Sequence, residues 1–173
     1  MNKEDLLINR VSQSGLETIK LEDFYPGHEI KEFDLKNFLF QGLILKELDF
    51  RKALKEHDWT QYHNCYLSVY CSTEAIIPTW AYMLVAAYAA GIVLDVSFGN
   101  KQEFLRNYFQ QKIRELNPEE YRDAKLVIKG CSEKDVPASA YLEITRLLKP
   151  YVSSIMFGEP CSTVPVYKKP KSQ

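Results

Sequence analysis

Cysteine is followed by serine three times in this chain, at Cys71-Ser72, Cys131-Ser132 and Cys161-Ser162, each time after a short apolar run. The runs, residues 66–70, 126–128 and 155–157, are rich in aromatic and β-branched side chains and read as strands. If those strands are parallel, all three thiols stand at strand carboxyl ends, the edge where open α/β sheets bind ligands. Gathered thiolates suit a soft metal ion, and a single activated thiol suits nucleophilic chemistry. The structural alternative is that each cysteine packs as a small hydrophobe. Spacing favours that alternative, because no C-x-x-C pair occurs. No metal site and no bound zinc are therefore expected. Cys65 begins its strand, so it is expected at the opposite end of the sheet from Cys71.

The same edge gathers small polar residues: Ser72, Thr73, Ser132 and Ser162, with Gly99-Asn100 after a further apolar run and Thr79 at a helix start. Hydroxyls and free helix N–H groups there suit an anion or another polar ligand. The same geometry serves ordinary turn and capping chemistry. Asn100 and Glu103 have the spacing of a capping box. His28, His57 and His63 show no His-x-x-x-His pair and form no recognisable triad, so solvated or locally bonded imidazoles are expected. Asp95 interrupts an apolar strand, where burial without a partner is costly, and an outward-facing carboxylate is the simpler reading. Phosphate-binding glycine patterns of the G-x-x-x-x-G-K and G-x-G-x-x-G types are missing.

These residues must be held by 173 residues that are 46% hydrophobic and 26% charged, enough for a real core. The formal net charge of -1 attracts no polyanion, and without a basic patch the 11 Tyr, 9 Phe and 2 Trp read as core and interface rather than a nucleic-acid platform. The apolar stretch 80–94 is too short for a confident membrane span. The first nine residues carry Lys3, Glu4 and Asp5 and do not resemble a secretory signal, so a cytoplasmic setting with reduced thiols is expected.

From residue 65 onward the pattern is strand, helix, strand, helix, strand, helix, strand. The strands are 65–71, 92–98, 125–129 and 154–157; the helices are 79–90, 101–116 and 137–149. That alternation predicts a single α/β domain over residues 1–173 with a central, mainly parallel sheet and helices packed on it. Residues 1–16 and 168–173 are expected to be loosely ordered. The N-terminal third reads as mixed, with strand signals around 18–24 and 30–45, the alternative for the run 38–45 being the start of a helix, and a helix over 48–57. The helix over 79–90 has no polar face, which predicts burial or a partner; Met83, Leu84 and Ala87 are expected in the core. No internal repeat is visible.

Asn9-Arg10-Val11, Leu21-Glu22-Asp23-Phe24-Tyr25-Pro26, Phe40-Gln41-Gly42-Leu43-Ile44-Leu45, Pro78-Thr79-Trp80-Ala81-Tyr82, Ile128-Lys129-Gly130-Cys131 and Gly158-Glu159-Pro160-Cys161-Ser162-Thr163-Val164-Pro165 resemble segments of an uncharacterised bacterial family. That resemblance spans nearly the whole chain and implies no activity. Residues 41–94 are loosely similar to anti-sigma-factor-antagonist (STAS) domains, in which a buried helix carries a phosphorylatable serine at its start. Thr79 falls near that position, but Ile77-Pro78-Thr79-Trp80 replaces the usual Asp-Ser-Ser-Gly.

The expected function is a binding or interaction module, with a regulatory role open. Its site lies at the strand carboxyl edge or on the aromatic surface around Trp80 and Tyr82. The partner is a small molecule or a protein, a second copy included; no cofactor, nucleic acid or membrane is implied. The alternative is a small thiol-dependent or metal-assisted enzyme built on Cys71, Cys131 and Cys161.

Overall fold

The computed structural model describes residues 15–130, 133–159 and 162–170. Among these residues the strands are β1 (Leu16–Lys20), β2 (Ile30–Asp34), β3 (Tyr66–Tyr70), β4 (Asp95–Phe98), β5 (Lys125–Lys129), β6 (Ser154–Glu159) and β7 (Ser162–Lys168). The α-helices are α1 (Glu47–Glu56), α2 (Thr79–Ala89), α3 (Lys101–Arg114) and α4 (Ala138–Leu148). The protein is α/β with mainly parallel strands and helices packed on them, as the alternation predicts.

The four strands expected in one sheet are divided between two. One sheet has the order β2-β3-β4, all parallel; the other has the order β1-β5-β6-β7, parallel except for the last pair. The chain forms two compact units, Pro26–Asn107 and a unit made of the chain up to Tyr25 together with that from Tyr108 onward. Periodicity identifies a buried strand but not its neighbours. β3 and β5 each act as an inner strand, with Leu67, Ser68 and Val69 buried in one and Leu126, Val127 and Ile128 in the other. β7 was not anticipated. It is an edge strand, the position in which Pro165 is tolerated because its missing N–H faces no partner.

The two units repeat one another, which the sequence did not reveal. β3 begins at Tyr66 and β5 at Lys125; α2 begins at Thr79 and α4 at Ala138; β4 begins at Asp95 and β6 at Ser154, an offset of 59 residues each time. Tyr66 pairs with Ile30 and Asp95, and Lys125 pairs with Leu16 and Ser154, so both registers are the same. Local details follow the offset. Left-handed Asn64 and Asp123 have φ of 57° and 58°. Their N–H groups donate to Ile92 O at 3.3 Å and Tyr151 O at 2.9 Å. Phe50 and Leu54 of α1 are buried, as are Phe109 and Ile113 of α3. Identity at matched positions is confined to a few residues, such as Leu67/Leu126, Pro78/Pro137, Ala81/Ala140, Tyr82/Tyr141, Phe98/Phe157 and Gly99/Gly158. The geometry persists because burial tolerates any apolar side chain of suitable size.

Within Pro26–Asn107, α2 turns Ala81, Val85 and Ala89 inward at helical spacing. Met83, by contrast, is 70% exposed, Ala87 is also exposed and Leu84 is half-buried. The expected core face is therefore wrong for Met83 and Ala87. A helix that is apolar all round carries no phase in its sequence, so only packing selects the buried stripe.

The core of this unit includes an aromatic group. Phe33 stacks on Phe38 and Trp59 at centroid distances of 5.0 and 5.6 Å, and Trp59 Nε1 donates to Leu54 O at 2.8 Å. His57 meets Phe33 edge-on at 5.4 Å, and its Nε2 lies 3.2 Å from the Tyr62 hydroxyl. Burial lowers the His57 pKa below its ordinary 6.5, with the Asp58 charge acting in opposition. As pH falls through 6.5 the unfolded chain therefore takes up this proton first. The stability contributed by neutral His57 is present above that pH and is lost below it. Urea midpoints measured from pH 7.5 to 5.5 should fall, and the slope should be shallower in His57→Gln. Equal slopes in the two proteins would contradict the half-buried position of His57.

Candidate functional site

β3 and β4 are adjacent and parallel, so their carboxyl ends open on the same edge. A cavity of about 460 Å³ lies there, lined by Cys71, Ser72, Thr73, Gly99 and Asn100 together with Tyr70, Glu74, Ala75, Tyr82, Phe98 and Glu103. Five of the sequence-predicted site residues are thus brought together.

Gly99 sets the geometry. Its N–H donates to Val69 O at 2.9 Å, extending the β3–β4 pairing by one bond, and its carbonyl accepts from the buried Ser68 hydroxyl. Its φ is 109°, and a Cβ there would stand 2.7 Å from Glu103 Cβ. Only glycine lets α3 start this close to the strand end. The capping box then closes as its spacing predicts: Glu103 N donates to Asn100 Oδ1 at 3.0 Å, and Asn100 N donates to Glu103 Oε2 at 2.9 Å. Lys101 N donates to Glu32 Oε1 at 2.8 Å. Three N–H groups at the helix start are therefore bonded to side chains of the chain itself.

The loop after β3 is satisfied in the same way. Ser72 N and Lys36 N both donate to Asp34 Oδ1, at 3.0 and 2.9 Å. Burial raises the Asp34 pKa, but hydrogen bonds from the Ser72 side chain and from the Lys36 and Ser72 amides outweigh it and hold the carboxyl below its ordinary value. Ala75 N donates to Thr73 Oγ1 at 3.4 Å. Capping, rather than an anion cradle, uses these groups.

The remaining sequence-predicted residues are placed differently. Thr79 is the exposed first residue of α2, preceded by Pro78, and does not line the cavity. Ser162 opens β7 in the other unit. Cys131, Ser132 and Cys161 lie outside the described residues, as do Lys171, Ser172 and Gln173 at the chain end. Cys65 and Cys71 flank opposite ends of β3, and Cys71 Sγ is 3.3 Å from Thr73 Oγ1. Among the described residues no three His, Cys, Asp or Glu side chains are grouped to hold one metal ion. Asp95 is exposed and accepts from its neighbour Val96 N at 2.8 Å. Trp80 packs toward the core against Phe50, whereas Tyr82 faces the cavity.

Of the aromatic walls, the sequence reading names Tyr82 but not Tyr70 or Phe98. Both are the last residues of their strands and count in it only among the aromatics of core and interface, yet Phe98 is 69% exposed. Its ring meets that of Tyr82 at 5.2 Å and 64°. Burial raises the Tyr70 pKa, as do the Glu32 and Asp34 charges. For Tyr82 burial is again the main cause, followed by Cys71. Among the described residues no Lys or Arg lines this cavity.

A larger cavity of about 840 Å³ lies in the other unit, among Ile128, Tyr141, Leu142, Ile155, Phe157 and Val166. Its lining is almost wholly apolar, and Arg146 at its margin is engaged with Glu143 at 2.7 Å. It offers contact area but few groups that could orient a ligand.

No helix among the described residues is long and apolar enough to cross a membrane. A family model described as "Protein of unknown function (DUF2480)" matches residues 5–169. No curated protein and no solved structure matches.

Proposed function

Because the chain belongs to this family of proteins of unknown function, whose membership assigns no chemistry, we propose from the cavity alone that the protein is a small-molecule binding module. The observation that carries this reading is the convergence of two parallel strand ends on a cavity with both aromatic and polar walls. Such a crevice outside strand carboxyl ends is where α/β sheets take ligands. The wall is supported from behind by the Asp34 bonds and the capping box. Binding is favoured over thiol catalysis because Cys71, the one described cysteine in the lining, has a threonine hydroxyl beside it and no histidine in the same wall.

A fragment screen by amide NMR on the full chain tests the reading. Binders are expected to shift Cys71, Gly99 and Asn100 together and to protect Cys71 from alkylation. A screen whose binders shift only residues around Tyr141 and Phe157 would move the site to the other unit.

A further inference from the structure

Resting on that reading, we infer that the cavity recognises a small organic cation carrying a methylated ammonium group, held against the rings of Tyr70, Tyr82 and Phe98 with the Glu74 carboxylate at its side. Three observations converge on this chemistry. The first is shape. Tyr82 and Phe98 meet at 64°, so their rings form a corner rather than a flat stack, and Tyr70 adds a third ring to the same wall. Rings arranged around a void present their negative faces to a cation. Phe98 contributes little to the core, being 69% exposed, and its ring is free to contact a molecule in the cavity.

The second is charge. Glu74 and Glu103 line the cavity, and among the described residues no basic side chain does. Glu32 and Asp34 stand close enough to act on Tyr70. An anion would meet these carboxylates with the Ser72, Asn100, Lys101 and Glu103 N–H groups already engaged. Methylation suits the site because a trimethylammonium group is weakly hydrated and fills an apolar corner, whereas a bare ammonium asks for three acceptors.

The third is the repeat. The other unit keeps the tyrosine–phenylalanine pair, Tyr141 and Phe157, at 5.7 Å and 79°. At the position of Tyr70 it has Lys129, and at that of Asn100 it has Glu159, whose Oε2 lies 2.5 Å from Lys129 Nζ. That half thus places an ammonium and a carboxylate of its own at the matching strand ends. It also has Gly130 where the first unit has Cys71, and a Cβ on Gly130 would stand 1.9 Å from the Tyr141 hydroxyl. With Cys71 at that position the Tyr82 hydroxyl cannot take the place of the Tyr141 hydroxyl. Among the described residues the first unit has no ammonium in the cavity lining, so a cation at these rings comes from a ligand.

The test is an amide NMR titration of the full chain with three probes at matched ionic strength: choline, its neutral isostere 3,3-dimethylbutan-1-ol, and inorganic phosphate. Choline is expected to shift Cys71, Phe98 and Gly99 saturably, and the isostere to bind the same place at least about two- to fivefold more weakly, the factor expected for a cation over exposed rings. Phe98→Ala and the surface change Glu74→Gln should each weaken choline with unaltered unfolding midpoints. Equal binding of the isostere would overturn the cation and leave a cavity that binds neutral molecules. Phosphate shifting these amides while choline does not would replace the cation with an anion. Silence of all three probes would also overturn the inference; the fragment screen then decides separately whether the cavity binds anything.

Discussion

Phe50→Ala is expected to lower the unfolding free energy by about 3–5 kcal/mol, the range for removing a fully buried aromatic side chain. Phe50 is 1% exposed and touches elements distant in sequence, with Phe38 at 5.3 Å and Trp80 at 6.2 Å. Its loss leaves a void between α1, the turn after β2 and α2 that surrounding side chains cannot fill without leaving their own contacts. Phe109, 59 residues on and 0% exposed, occupies the matching place in the other unit, where Tyr25 meets it at 6.2 Å. Phe109→Ala should therefore cost a similar amount. Urea unfolding measures both. A loss below about 1 kcal/mol for either would mean that its pocket collapses, and a large difference between them would show that the repeat preserves topology but not packing.

Gly99→Ala is expected to cost about 1–3 kcal/mol and to abolish the proposed binding at the cavity. The backbone at φ of 109° is a conformation that side chains rarely adopt. The new methyl would also meet Glu103 Cβ and Oε2, both at 2.7 Å. Moving Glu103 breaks the bond to Asn100 N, so the helix start frays where it forms the cavity wall. Asn100→Ala separates these effects, since it removes only the cap and should cost about 1 kcal/mol. If Gly99→Ala proved no worse than Asn100→Ala, the close approach of α3 to β4 would be wrong.

Much of the local structure was legible. Each helix from α1 to α4 lies within a residue or two of its apolar periodicity, and the Asn100/Glu103 spacing correctly announced a capping box. These features depend on neighbours within about one turn, which a linear pattern contains. The strand-edge location of a cavity was legible too, because parallel strands end where their following loops begin.

What the linear pattern lacked was the choice of partners. Whether β4 and β5 share a sheet depends on which strands flank them, and β2 and β1 lie far back in the chain. The repeat was hidden for the same reason: Val85 and Ile144, or Leu54 and Ile113, serve the same burial with different residues. The buried stripe of α2 was undecidable in a helix with no charged residue to mark the outside. Phe98 counts in the sequence only among the aromatics of core and interface, because a strand end faces solvent or a ligand as readily as the core and the sequence does not say which. Composition and periodicity thus determined the elements, the α/β class and the edge at which to look. Tertiary packing alone decided the two sheets, the duplicated units and the aromatic corner, because each depends on contacts between residues separated by tens of positions, whose free energy no local pattern records.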